Sequence, residues 1–237
     1  MELINQILRI GSFYNIFFNI TLVLLIIGII PLISLFNFTS FGEKANKVPG
    51  AVDNLSAVSI ILGIAKYLKE HKNIIPDNVE IQLISFGCEE AGLRGAYRYV
   101  EQHIEELKEY DTININMDAL QNPNRISIIE YEPTTRTKHS KEVVESLIEI
   151  GKSIGLNTGK FGAGKKEKMI GQFSGGTDAT AFSKANIKAA TINSMSYKGF
   201  LDYYHQPDDI LDKIEPRTLE TILELCLTYV KEFNKEK

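Results

Sequence analysis

The sequence predicts an α/β domain with a mixed, mostly parallel sheet and helices on both faces, preceded by a transmembrane helix. From residue 47 onward, amphipathic helical stretches alternate with short apolar runs typical of strands, and such alternation is typical of layered α/β domains. The residues before that point include a long uncharged run. With 237 residues, 44% of them hydrophobic, the chain is large enough to bury a core.

The uncharged run covers residues 10–42, and its most apolar part, 17–36, has the length of one membrane crossing. No pair of small residues follows it as in a cleavable signal peptide, so we expect a retained single-pass anchor. This divides the chain into a membrane segment at 1–46 and a domain at 47–237. Basic residues flank the run on both sides, so the positive-inside rule does not assign a side to the domain.

The domain is predicted element by element from the periodicity of its apolar residues. Strand patterns have a period of two residues or are short continuous apolar runs, whereas helical patterns repeat every three to four residues. The helices are expected at residues 56–70, 92–110, 140–154, 178–185 and 215–233, and the strands at 79–87, 111–118, 125–131 and 188–193.

The composition argues against several classes of function. A net charge of -4 gives no electrostatic basis for binding nucleic acid. The two cysteines, Cys88 and Cys226, match no redox or zinc-binding spacing, so we expect buried thiols. The chemistry of the chain must therefore come from other side chains.

Carboxylates and one histidine lie at predicted strand ends or in loops. They are Asp53 in PGAVDN, Glu89 and Glu90 in FGCEEAGLRG, Asp118 in NMDAL, and His205 in YYHQPDD. Each alone has an ordinary structural interpretation, such as a residue near a helix start or a solvated loop histidine. In open α/β sheets, however, residues at the carboxyl ends of strands converge on one crevice. Carboxylates with an imidazole are suited to zinc or to a harder divalent cation.

These segments, together with GGTDATAF and in the same order and spacing, resemble the M28 family of zinc aminopeptidases over residues 49–214. The resemblance implies a zinc-exopeptidase-like fold and a site with two zinc ions. It implies that Asp53 bridges the two ions, that Glu89 is the general base and that Glu90 binds zinc.

The same resemblance assigns further residues. Asp118 corresponds to a ligand of the second zinc, and His205 completes the first zinc site. Tyr204 corresponds to a phenol that hydrogen-bonds the oxyanion, although a packing role is equally compatible with the sequence. Asp209 corresponds to an acid that orients the His205 ring, and the role of Asp178 stays open.

The chain departs from the family pattern before residue 49, where members usually carry a His-x-Asp motif. One ligand of the second zinc site is therefore missing, and we expect one tight zinc. The remaining histidines, His71, His103 and His139, are expected on helix or linker surfaces and are not assigned as ligands. The first strands of the family sheet are also missing, so a second chain or a missing segment is expected to cover the exposed sheet edge.

The predicted function is that of a membrane-anchored, zinc-dependent aminopeptidase-like hydrolase that removes N-terminal residues from peptides, with activity in question because of the missing ligand. Two alternatives remain. One is a single-zinc enzyme similar to glutaminyl cyclases, because Asp-Glu-His is the ligand set of that subgroup. The other is a non-catalytic peptidase-like interaction domain at the membrane.

Overall fold

A computed structural model describes residues 2–37, 47–162, 164 and 175–233 of the chain. Helix α1 spans Glu2–Asn37 and contains the predicted span. The central helices are α2 at Ser56–Glu70, α3 at Arg94–Glu109, α4 at Lys141–Ser153 and α5 at Ala179–Lys184. Two further helices follow, α6 at Tyr197–Asp202 and α7 at Thr218–Phe233. The strands are β1 at Ile113–Asp118, β2 at Ile126–Ile129, β3 at Tyr131–Glu132, β4 at Thr137–Lys138, β5 at Thr158–Phe161 and β6 at Lys188–Asn193.

The main sheet has four strands in the order β1-β6-β2-β5. Strands β1 and β6 are parallel, as are β2 and β5, whereas β2 and β6 are antiparallel. Strands β3 and β4 form a separate antiparallel pair. The mixed, mostly parallel sheet predicted from the sequence is confirmed.

Helices cover both faces of this sheet because alternate residues of the central strand β6 point to opposite sides. Ala190 and Ile192 pack with buried residues of α2, α4 and α7 in one cluster. Ala189 packs with buried residues of α3 and α5 in the other. Burial of apolar side chains on both faces stabilises the layered arrangement.

The predicted strand at residues 79–87 forms no strand ladder with the described residues, which corrects that prediction. The segment has a strand-like sequence, VEIQLISFG, but a strand needs a hydrogen-bonded neighbour. Within the described ranges, strand β1 pairs with β6 alone, and a cavity separates its other side from this segment. Five of the six β1 residues are only partly buried, whereas four of the six β6 residues are buried.

Two helical stretches are apolar enough to compare with a membrane span. Ala51–Glu70, which includes α2, has the required length and hydropathy, but 39% of its apolar window is buried. Its buried side chains, Ala57, Ile60, Ile64 and Leu68, face α7 and the sheet, as expected for a core helix. In α1, by contrast, the large apolar side chains from Phe13 to Ile29 are exposed around the whole helix.

Candidate metal centre

Asp53 lies in an irregular turn, Ala51–Leu55, directly before α2. Asp209, which is 1% exposed, holds this turn because its carboxylate accepts hydrogen bonds from the backbone N–H groups of Val52 (2.7 Å) and Asp53 (3.1 Å). Gly50 precedes the turn with a φ of 64°, and a Cβ there would lie 2.7 Å from the carbonyl oxygen of Asp53. Only glycine fits at position 50, and Asp53 is thereby fixed in position.

Glu89 and Glu90 lie in a tight turn that leads into α3. The carbonyl of Glu89 accepts hydrogen bonds from the N–H groups of Gly92 (2.9 Å) and Leu93 (2.7 Å). Cys88 and Leu93 flank the pair with positive φ values of 56° and 59°, which are uncommon for such residues. Cys88 is exposed, so the prediction of a buried thiol there was wrong, whereas Cys226 is buried as predicted.

Asp118 is the last residue of β1, at the carboxyl end of the sheet. Asn193, at the end of β6, donates a hydrogen bond of 2.9 Å to the Asp118 carbonyl. The side chain of Asn54 donates to the carbonyl of Met117 at 3.1 Å and so ties the Asp53 turn to this strand. The strand end and the turn are therefore held against each other.

His205 follows α6 in a loop and has a positive φ of 57°. Its ring stacks on Tyr204, with centroids 3.8 Å apart, and Tyr204 stacks in turn on Phe200 at 4.9 Å. These aromatic contacts restrict the orientation of the imidazole. The Nε2 atom of His205 lies 2.9 Å from Oε1 of Glu90 and 3.3 Å from Oδ2 of Asp53.

The structure thus brings three of the predicted ligands together. One ligand atom from each of Asp53, Glu90 and His205 lies within 4.8 Å of the other two. Among the described residues, this is the one group of three or more acidic, histidine or cysteine side chains with such spacing. Two carboxylates and one imidazole match the donor set of a catalytic zinc site with an open position.

The carboxylates of Glu89 and Asp118, beside this triad, have raised pKa values because nearby negative charges outweigh the nearby positive charge. Burial and the neighbouring Glu90, Asp178 and Asp53 raise the pKa of Glu89 to about 8, and His205 offsets this only in part. Burial, Asp53 and Glu89 also raise the pKa of Asp118 well above its usual value. A divalent cation would relieve this repulsion, so the surroundings fit a metal.

Asp178 also belongs to this group, although the sequence left its role open. Burial and the charge of Glu132 raise its pKa to about 6, and its Oδ1 atom is buried without a hydrogen-bond partner among the described residues. It borders the same cavity as Asp53, Glu89 and Asp118. Asp178 lies in GGTDATAF, one of the segments that carry the family resemblance, but the sequence assigned it no role.

The carboxylates of Asp53 and Glu90 favour the protonated form of the His205 imidazole. Burial lowers its pKa, but hydrogen bonds to Asp53 and Glu90 and the charges of these two residues outweigh burial, raising the pKa to about 10. Burial and the charges of Asp53 and Asp118 raise the pKa of the Tyr204 phenol, which therefore remains a proton donor. The charge of His205 also acts on Asp209, and a role of Asp209 in orienting the ring stays a prediction.

A second carboxylate–imidazole cluster was missed from the sequence. His139 is 3% exposed, so its predicted surface position was wrong, whereas His71 and His103 are exposed as predicted. Its Nε2 atom lies 3.0 Å from the carboxylate of Glu132, which is also 3% exposed, and its Nδ1 atom lies 2.8 Å from Oγ of Ser183.

Glu132 also accepts hydrogen bonds from three threonines. The Thr177 hydroxyl donates to it at 2.5 Å, the Thr177 N–H at 3.2 Å, the Thr135 hydroxyl at 3.1 Å, and the Thr180 hydroxyl also donates. This network joins the β3–β4 hairpin to the segment that carries Asp178. Thr177 and Glu132 are 45 positions apart, and no sequence motif predicts that they form a hydrogen bond.

A cavity of about 420 Å³ opens beside the metal-ligand triad. Glu90 and His205 border it together with Leu93, Tyr97 and Thr135. Gly176 also lines it, and a Cβ at this position would collide with the Thr135 side chain. The cavity provides room next to the triad for an uncharged side chain.

The α/β fold with a carboxylate–imidazole centre at the carboxyl ends of its strands defines the class of a metallopeptidase-like domain. Residues 38–230 match Peptidase family M28, and the chain belongs to this family. It is 28% identical over 191 residues to aminopeptidase YwaD of Bacillus subtilis (strain 168), a match that covers 80% of this chain and 39% of the relative.

Two solved structures are also similar to this chain. The chain matches BSAP, a zinc aminopeptidase from Bacillus subtilis, with a TM-score of 0.61 and 25% identity over 80% of this chain and 44% of that one. A glutaminyl cyclase from an Acidobacteriales bacterium matches with a TM-score of 0.56 and 17% identity over 79% of this chain and 63% of that one, which shows the fold alone. The chain spans about two fifths of the length of the curated relative it matches.

Proposed function

We propose that this chain is a zinc-dependent aminopeptidase-like hydrolase that removes N-terminal residues from peptides. The observation that carries the proposal is the convergence of Asp53, Glu90 and His205 on one point beside Glu89. Membership of the M28 family and the similarity to a zinc aminopeptidase support it.

Asp53, Glu90 and His205 would hold the tight zinc ion. Asp118 lies close enough to Asp53 for their charges to interact, but these two carboxylates alone make a poor zinc site. We therefore expect one tight zinc and one weak site. Two equally tight ions in a zinc titration of the purified chain would contradict this expectation.

When bound, zinc supplies Lewis acidity to the reaction. Glu89 would act as the general base: it would accept a proton from the attacking water and transfer it to the leaving amine. A cation beside Glu89 would lower the raised pKa of its carboxylate toward neutrality, where a base works best. Tyr204 would donate a hydrogen bond to the oxygen on which negative charge develops.

The cavity of about 420 Å³ would receive the side chain of the substrate's N-terminal residue. Apart from Glu89, Glu90 and His205, the side chains that border it are uncharged. Uncharged N-terminal residues are therefore the expected substrates, because a charged side chain would lose its hydration there without a partner.

Helix α1 is proposed as a single-pass membrane anchor. Its exposed apolar side chains have no polar face that would suit a water-soluble surface helix, and hydrocarbon would remove them from water. Together with the domain, this makes the chain a membrane-anchored peptidase.

The decisive experiment compares the full chain in detergent with its Glu89→Gln variant on unblocked dipeptide and leucine p-nitroanilide substrates. The variant keeps the shape of Glu89 but loses the proton acceptor, so activity should fall by at least ~100-fold. The zinc content should hardly change. Glu101→Gln, at an exposed position on α3, is the matched control and should have full activity.

The same assay separates the alternatives. Cyclisation of an N-terminal glutamine without hydrolysis would identify the single-zinc cyclase reaction, which the Asp-Glu-His donor set also suits. Zinc binding without turnover of any substrate would favour a non-catalytic interaction domain. Equal activity of Glu89→Gln and the wild type would refute the assignment of the base.

A further inference from the structure

The carboxylate of Glu132 lies immediately behind the lining of the cavity of about 420 Å³. Glu132 does not border the cavity itself, but a Cβ added at Gly176, which does border it, would lie 3.0 Å from Oε2 of Glu132. Two segments that line the cavity reach this carboxylate. We call Thr134 and Thr135, between β3 and β4, the hairpin wall, and Gly175 and Gly176, before α5, the glycine wall.

One oxygen atom of Glu132 is hydrogen-bonded to both walls. Its Oε2 accepts a hydrogen bond from the hydroxyl of Thr135 in the hairpin wall at 3.1 Å. The same atom accepts a hydrogen bond from the backbone N–H of Thr177 at 3.2 Å. That N–H belongs to the peptide bond between Gly176 and Thr177, so this contact fixes the end of the glycine wall. The position of Glu132 therefore determines how far apart the two walls lie.

Glu132 is itself fixed from the opposite side. Its Oε1 lies 3.0 Å from Nε2 of His139, and Nδ1 of His139 lies 2.8 Å from the hydroxyl of Ser183 in α5. The Thr177 hydroxyl donates to the same Oε1 at 2.5 Å and lies 2.7 Å from the hydroxyl of Thr191 on β6. The carboxylate is thus held against the central sheet and α5, and both walls are positioned relative to these rigid elements.

The two walls are in close contact where Glu132 holds them. A Cβ at Gly176 would collide with the Thr135 side chain and would lie 3.4 Å from Cδ1 of Leu93, which also borders the cavity. Packing of this density is sensitive to small displacements. A shift of either wall would therefore change the shape of the space that a bound side chain fills.

We propose that Glu132 is a positioning residue that determines which N-terminal side chains the cavity accepts. It does not contact the substrate but fixes the separation of the hairpin wall and the glycine wall. This inference rests on the proposed aminopeptidase function, in which the cavity receives the side chain of the N-terminal residue. Long uncharged side chains such as that of leucine depend on Glu132, because the methyl group of alanine presents little surface to either wall.

The test compares the binding of leucine hydroxamate and alanine hydroxamate to the full, zinc-loaded chain in detergent. The hydroxamate group chelates zinc, so calorimetry gives both Kd values without any turnover. The ratio of the two values cancels effects that are common to both ligands, such as a change at the zinc ion. The wild type should bind the leucine compound at least ~10-fold more tightly than the alanine compound.

Two threonine variants provide the matched comparison. Thr135→Val and Thr180→Val each remove one hydroxyl that donates to Oε2 of Glu132, with little change in shape. Thr180 lies in α5 and does not border the cavity. Thr135→Val should lower the preference for leucine to about threefold or less, and Thr180→Val should keep the wild-type preference. Glu132→Gln should lower the preference as well, whereas each threonine variant loses only hydroxyl hydrogen bonds and retains the fold.

Gly176→Ala tests the premise separately from the inference. Its added methyl group lies between the walls, so leucine hydroxamate should bind at least ~10-fold more weakly and alanine hydroxamate should be affected less. If only Gly176→Ala changes the preference, the cavity receives the side chain but Glu132 does not position its walls, and the inference is refuted. Equal losses of preference in Thr135→Val and Thr180→Val would also refute it. An unchanged preference in Gly176→Ala, or a wild type that binds neither hydroxamate, would refute the proposed substrate site and the inference with it.

Discussion

Two clusters in this domain combine buried or half-buried carboxylates with an imidazole, yet they differ in how their charge is satisfied. Glu132 accepts hydrogen bonds from His139 and three threonines. Burial raises its pKa, but the hydrogen bond and charge of His139 and the threonine hydrogen bonds outweigh burial, so the pKa is lowered. In the metal centre, burial and like charges raise the pKa of Glu89 and Asp118.

The difference separates a structural cluster from a candidate metal site. A buried carboxylate with a full set of donors is stable as it stands, and nothing more needs to bind. A group of carboxylates with too few donors and one imidazole is stabilised by a cation from outside. The presence of a histidine beside a carboxylate therefore does not by itself indicate a metal site.

Zinc removal should have the largest effect on stability. A ligand present at about 1,000 times its Kd stabilises the folded state by about 4 kcal/mol, so a chelator should lower the melting temperature of the wild-type chain clearly. Glu90→Gln removes one of three ligands and should make the melting temperature insensitive to zinc. The melting temperature of Glu132→Gln should still rise with zinc. If it did not, the Glu132 cluster would also contribute to zinc binding.

Loss of the Glu132 charge should have the next largest effect. Glu132→Gln leaves His139 and the threonines without their charged acceptor and should lower the free energy of unfolding by about 3 kcal/mol at pH 7. The control is Glu130→Gln in the same hairpin, which loses only an ion pair with the exposed Lys160 and should lower the free energy of unfolding far less.

The pH dependence of this effect has a definite sign. The pKa of Glu132 is lower in the folded state than its usual value of 4.5, so its contribution is fully present above that value. The contribution is lost as pH falls through the folded-state pKa. Urea unfolding of the wild type and Glu132→Gln should therefore give stabilities that converge as the pH falls through the lowered folded-state pKa of Glu132, and a constant gap would contradict the assigned charge.

The sequence indicated the residues of the candidate metal centre but not those of the structural cluster, for physical reasons. Asp53, Glu90 and His205 lie in short motifs of unusual composition, and the rule that strand ends converge brought them together. Glu132 and His139 have no such motif, because their partners come from a hairpin and a distant loop. The helices and the central strands follow from the periodicity of apolar residues. Periodicity does not show whether a strand has a hydrogen-bonded neighbour, and residues 79–87 have none among the described strands.

Tyr204 provides a test of the candidate metal centre by its effect on catalysis. It stacks on His205, and its phenol lies among the carboxylates of the metal centre, which raise its pKa. If it donates to the developing oxyanion, Tyr204→Phe should lower kcat about 100-fold, or about 2.7 kcal/mol, with little change in KM. Tyr97→Phe, which alters another tyrosine at the substrate cavity, is the control. A change in KM alone would assign Tyr204 to packing.

The smallest expected effect is on the pH dependence of zinc affinity, and it follows from the state of His205. Its pKa of about 10 means that the imidazole carries a proton at neutral pH, and zinc must displace that proton to bind. Affinity for zinc should therefore rise about tenfold, or about 1.4 kcal/mol, for each unit of pH between 6 and 8.

Calorimetry in two buffers of different ionisation enthalpy would count the released proton. Glu132→Gln should leave this slope unchanged, since the Glu132–His139 cluster exchanges no proton with the metal. A slope near zero in the wild type would mean that His205 is already neutral before zinc binds, and Asp53 and Glu90 would then not hold its proton.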